Sequence, residues 1–105
     1  MERIITLALV LRKLDNLIPV LHGKKYFADR DNAHAYVEAI VDFIQSIPQQ
    51  RHRPTKDTKY GAWYAEYKPS RHTSWFVTFD KKGERYIIRN LINNHTKDYP
   101  EFIRG

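Results

Sequence analysis

The stretch SWFVTFDKKGERYIIRNLINNHTKDY, Ser74–Tyr99, reads as two β-strands joined by a tight turn, and it decides the fold. Trp75, Val77 and Phe79 place apolar side chains at every second position, the period of a strand with one face on a core. Asp80, Lys81, Lys82 and Gly83 break that pattern with turn chemistry, Gly83 supplying the positive φ that closes short hairpins. The return strand, Tyr86 to Ile92, is rich in Tyr, Ile and Leu. It runs into Asn93, Asn94 and His95 and then Tyr99, so a polar cluster follows directly on a strand end, where function tends to sit.

Working back from this hairpin, Trp63, Ala65 and Tyr67 alternate with Tyr64, Glu66 and Lys68, which predicts another strand from Tyr60 to about Pro69. Three strands with connections this short form an antiparallel meander, because parallel neighbours need a long crossover. The unpaired edge at Tyr60–Lys68 either accepts a partner strand or is covered by the first helix. Upstream, QQRHRPTKDTK (Gln49–Lys59) has the composition of an exposed basic loop. A helix precedes it: Asp31 is a good N-cap, Ala33, Tyr36, Val37, Ile40, Ile44 and Ile47 form an apolar stripe, and Pro48 stops the run. At the N-terminus Ile4, Leu7, Ala8, Leu11, Leu14, Ile18 and Leu21 recur at helical spacing. They predict a helix from about Arg3 to Asn16 or slightly beyond, Pro19 disfavouring an unbroken helix through to Leu21, with a strand over Ile4–Leu11 as the competing reading. The expected architecture is α+β: two N-terminal helices packed on a curved antiparallel meander of three or more strands, in a single domain spanning residues 1–105.

Composition narrows the function. The chain has 105 residues, a net charge of +6 and no cysteine, so thiolate metal sites and disulfides are excluded and a cytoplasmic location is expected. The apolar N-terminus is interrupted by Arg12, Lys13 and Asp15, too charged for a membrane span or a signal sequence. A small basic protein is biased toward polyanions, with nucleic acid the commonest. The four glycines are scattered, which argues against a phosphate loop, and the histidines lack metal-ligand spacing, so neither metal nor cofactor is expected.

What remains is a set of basic and aromatic residues at the C-terminal end of the meander: Lys68, Arg71, His72, Arg89, His95, Lys97 and Tyr99. RNA cleavage needs no metal when one group takes the 2′-hydroxyl proton, another protonates the leaving 5′-oxygen and cations stabilise the phosphorane. His95 titrates near neutrality and serves either step, or caps the Asn-Asn-His-Thr turn. Arg71 and Arg89 offer planar forks for phosphate oxygens, Arg89 being equally readable as a solvated strand residue. Tyr99 orients the phosphate or donates a proton. Glu66 is either a base or the ion-pair partner of Lys68, the pairing being the plainer role. Arg51 and Arg53 flank His52 in a run that is ordinarily solvated but suits a phosphate backbone. Trp63, Tyr64, Tyr67 and Trp75 read as packing residues rather than a base-stacking platform.

Two helices followed by WYAEYKPS, SWFVTFD and RYIIRNLIN, closing on INNHTKDY, resemble the RelE/ParE superfamily of bacterial toxins, nearest to its HigB-type branch. The likeness covers residues 31 to 99. Members typically open with a short strand, where Met1–Leu21 here reads as helix. Many cut messenger RNA in the ribosomal A site without a metal, and each is neutralised by an antitoxin. The resemblance implies that His95 and Tyr99 lie at the catalytic edge, that Arg71 or His72 stands at the basic position before the middle strand, and that Arg89 is a supporting cation. It also implies mRNA, the ribosome and an acidic antitoxin as partners. The competing classes are a non-catalytic toxin on the same scaffold, such as a ParE-like gyrase inhibitor, and a phage or plasmid interaction protein.

Overall fold

Trp75, Val77 and Phe79 form the inward row of the central strand of a five-stranded mixed sheet, with two helices on one side of it. The computed structural model describes residues 3–23, 30–56, 58–71 and 73–94, and only the backbone of residues 18–23 and 30–33. His72, His95, Lys97 and Tyr99 lie outside the described residues. The elements are β1 (Arg3–Thr6), α1 (Ala8–Gly23), α2 (Arg30–Gln45), β2 (Arg53–Pro54), β3 (Trp63–Tyr67), β4 (Trp75–Lys82) and β5 (Arg85–Asn93), in the sheet order β1-β5-β4-β3-β2.

The meander β3-β4-β5 is antiparallel, as the short connections require. The sheet as a whole is not, because β1 pairs parallel with β5. This corrects the helix expected from Arg3. Arg3–Thr6 is extended and bonded to β5, and the helix begins only at Ala8. The shift changes the helix phase. Val10, Leu14 and Leu17 face the core at positions i, i+4 and i+7, whereas Leu7 and Leu11, expected inside, are 38% and 50% exposed. The backbone also continues helically across Pro19 to Gly23, past the expected stop.

α2 begins one residue before Asp31, and its stripe of Val37, Ile40 and Ile44 is buried, followed by Ile47 in a short 3-10 turn that contains Pro48. These side chains meet Ala65, Val77, Phe79, Ile88 and Leu91 from the sheet, and this is the main core. Two ring contacts knit the layers. Tyr67 stacks on Phe43 at 5.2 Å, and the Trp75 indole N–H donates to the Tyr36 hydroxyl at 2.8 Å.

The hairpin turn lies further out than its composition suggests. β4 stays paired through Lys82, with Asp80↔Ile87, Lys81↔Tyr86 and Lys82↔Arg85 in register, so the turn is Gly83–Glu84. Gly83 takes the positive φ, +60°. The expected loop at Gln49–Lys59 contains β2, which pairs with Trp63 and Tyr64 and covers part of the edge read as open. A proline at Pro54 is tolerated there because the outer edge of β2 pairs with nothing further among the described residues.

Candidate nucleic-acid interface

Register and alternation sort the strand residues onto two faces. One is the helix-packed core. On the other, no α-helix lies among the described residues, and Phe76 and Ile92 form a small second cluster with Tyr60, against which Tyr64 packs. The turn Thr58–Tyr60 crosses this face, where the buried Thr78 hydroxyl donates to the Tyr60 carbonyl at 2.6 Å. Charge on the helix-free face is mostly positive. At the hairpin end, Arg3, Arg85 and Lys82 are partners across β1, β5 and β4 and so stand side by side. Further along come Arg89 and, paired with Tyr64, Arg53. The acidic residues on the described strands of this face are Asp80 and Glu66, and exposed Glu84 lies in the hairpin turn beside the cation row.

β3, β4 and β5 come level at the opposite end of the sheet, with Tyr67↔Trp75↔Asn93 in register. Exposed Lys68 and Arg71 lie in the connection that turns there. Asn94 closes the end: its N–H donates to the Ser74 carbonyl at 3.0 Å, and its side-chain oxygen accepts from the Ser74 N–H at 3.1 Å. The end of β5 is therefore fixed, and His95 is the next residue in sequence. Lys68, Arg71 and the end of β5 thus share one edge. Glu66 and Lys68 form no ion pair among the described residues, which corrects the expected pairing and leaves the Glu66 carboxylate exposed on the helix-free face.

Arg89 lies elsewhere, about 15 Å back along β5. Thr78 pairs with Asn90 and Phe79 with Ile88, so Arg89 is the extra residue of a β-bulge, a device that re-aims a side chain. Its guanidinium donates to the Asp80 carboxylate at 2.6 Å. The other Asp80 oxygen accepts the Ala62 N–H at 2.8 Å. Gly61 is required at this crossing: its φ is +134°, and a Cβ there would meet the Phe79 N at 3.0 Å and the Arg89 Cγ at 3.4 Å. Burial acts to raise the Asp80 pKa, but the Ala62 bond and the charges of Arg89 and Lys82 outweigh it and hold the carboxyl below its ordinary 3.8. The pair therefore stabilises fully above that ordinary value, and its contribution is lost as pH falls through the lowered folded value. Asp80→Asn should cost roughly 1–3 kcal/mol in urea melts near neutral pH. The gap between variant and wild type should hold down to about pH 5 and narrow below about pH 4.

The run Arg51-His52-Arg53 is only partly solvated. His52 donates from Nδ1 to the Gln50 carbonyl at 2.9 Å and accepts at Nε2 from the Lys81 ammonium at 2.8 Å, a tautomer fixed because the carbonyl only accepts and the ammonium only donates. Lys81 also sits 4.4 Å above the Trp63 ring. These contacts tie β2 to the outer end of β4, with Arg51 and Arg53 exposed on either side. Trp63, Tyr67 and Trp75 pack on the core as expected, while Tyr64 lies half-buried on the helix-free face with its ring edge against Phe76. Sequence reasoning missed Arg3, Lys82 and Arg85, whose one signal is a register that only the paired strands reveal.

Among the described residues no three His, Asp or Glu side chains gather as a metal site would need, and no helix is long and apolar enough to cross a membrane. No family model, curated protein or solved structure matches the chain. The functional reading therefore rests on the geometry of this face.

Proposed function

We propose that the protein is a RelE-like toxin, a metal-independent endoribonuclease that cuts messenger RNA at the ribosome in the cytoplasm and is neutralised by an acidic antitoxin. The observation that carries this reading is the basic helix-free face, running from the Arg3–Arg85–Lys82 row to the edge that holds Lys68, Arg71 and Asn94, next to His95 in sequence. The opening strand β1 supports it too, since a short first strand is the family feature that the N-terminal sequence lacks when read as helix.

In this reading an RNA strand lies on the face with its scissile phosphate at the Asn94 end. The 2′-oxygen attacks the phosphorus, the 5′-oxygen leaves with a proton, and the products carry a 2′,3′-cyclic phosphate and a 5′-hydroxyl. His95 moves one of these protons, and Tyr99 orients the phosphate or delivers the other. Glu66 is the carboxylate on the same face able to serve as base. Arg71, with His72, Lys68 and Lys97, offsets the charge of the phosphorane, the term that usually dominates such reactions. Arg89, held by Asp80, with Arg51 and Arg53, binds RNA away from the reacting bond.

The test is to map new RNA 5′ ends after brief expression of the wild-type protein and of His95→Ala. Cuts confined to translated regions, bearing 5′-hydroxyls and lost in the variant, are expected. Growth arrest with intact RNA would overturn the reading and turn attention to a protein target such as gyrase.

A further inference from the structure

The cation row at the hairpin end lies far from the edge where cleavage is proposed. Arg3 and Arg85 are direct partners across the parallel pair β1–β5, and Arg85 and Lys82 across the antiparallel pair β5–β4. Adjacent strands lie about 4.8 Å apart, so three positive side chains stand abreast on the helix-free face. All three are exposed, and no salt bridge among the described residues holds any of them. Like charges directly opposite one another destabilise a sheet, so the Arg3–Arg85–Lys82 pairings do not serve the fold, although Lys82 also helps to keep the Asp80 carboxylate ionised. The row concentrates positive potential for an external anion, with Arg89 further along the face and the Asp80 carboxylate, which both Lys82 and Arg89 act on, offsetting part of that potential.

We propose that Arg3, Arg85 and Lys82 form a second RNA contact, an anchor for the phosphates of single-stranded RNA remote from the reacting bond. The inference rests on the reading of this face as an RNA surface. From Arg85 to Asn94 the strand spans about 30 Å at ~3.3 Å per residue. An RNA touching both the row and the Asn94 end therefore needs roughly 6–10 nucleotides, within the site sizes of grooves that track a backbone. Shorter RNA reaches one end only. Between the two ends half-exposed Tyr64 offers a ring to the RNA, while Phe76, Thr78 and Ile92 are buried, Thr78 beneath the Thr58–Tyr60 turn.

The experiment measures binding of single-stranded 2′-O-methyl RNA, which lacks the attacking hydroxyl, as a 10-mer and a 4-mer over a range of salt. Wild-type protein is compared with Arg3→Gln and with the double variant Lys82→Gln/Arg85→Gln. In the double variant the 10-mer should bind at least tenfold more weakly, and the log–log salt slope should fall by about 0.7 for each lost phosphate contact, whereas the 4-mer, which reaches one end only, should lose just the fraction bound at the row. Melting temperature should stay about level, the relief of repulsion offsetting the loss of the Lys82 charge that acts on Asp80. An unchanged 10-mer affinity and slope overturns the proposal, as does absence of 10-mer binding to wild-type protein. Loss of binding to polyglutamate or to anionic vesicles without loss of 10-mer binding also overturns it, by assigning the row to another partner. The result is independent of the cleavage test. Row-dependent RNA binding without His95-dependent cuts would leave the anchor standing and sink the ribonuclease reading.

Discussion

His95→Ala should lower RNA cleavage by about 10²–10⁴-fold, the usual contribution of one positioned acid or base, while the protein stays folded. The residual rate should come from the cations, whose stabilisation of the phosphorane does not depend on a proton at that position. Folding should survive because the end of β5 is held by Asn94 through two hydrogen bonds to Ser74, upstream of the substituted residue. Thermal melts and cleavage assays on the same preparation check both halves. A melting temperature that falls in step with activity would assign His95 a capping role instead.

Phe79→Ala should have the largest effect on stability, about 3–5 kcal/mol. Phe79 has no exposed surface, packs 5.8 Å from the Tyr86 ring and 5.3 Å from that of His52, and sits in the central strand between the helix layer and the rest of the sheet. Domains of this size are stable by only about 5–15 kcal/mol, so the variant should lie close to unfolding at physiological temperature. Urea denaturation should show a much lower midpoint with little change in slope. A loss under about 1 kcal/mol would mean that the core is centred elsewhere.

Which parts of this architecture the sequence reveals follows from where each element finds its partners. The central strands are legible because Trp75, Val77 and Phe79 keep a strict period of two, and α2 because Val37, Ile40 and Ile44 keep the helical one. β1 is ambiguous because ITLALVL is apolar at both periods, and what makes it a strand is pairing with β5, far away in the chain. β2 is only two residues long and contains a proline, so pattern does not reveal it. At the candidate site, Lys68 and Arg71 were foreseeable at a strand connection, but the bulge that sets Arg89 apart and the Asp80 carboxylate that holds it are not. Asp80 and Lys82 read as turn residues because polar side chains at the solvent end of a hairpin look the same whether or not they are paired. The row of Arg3, Arg85 and Lys82 needs the register of three strands before it exists at all.

The proposed function requires that the helix-free face carry RNA toward the Asn94 end. Its most direct test is an amide chemical-shift map of His95→Ala protein titrated with the non-cleavable 10-mer. Perturbations are expected at Arg3, Lys82, Arg85, Arg89, Tyr64 and Asn94, with α2 unmoved. Perturbations gathered on the helices, or none at saturating RNA, would contradict it.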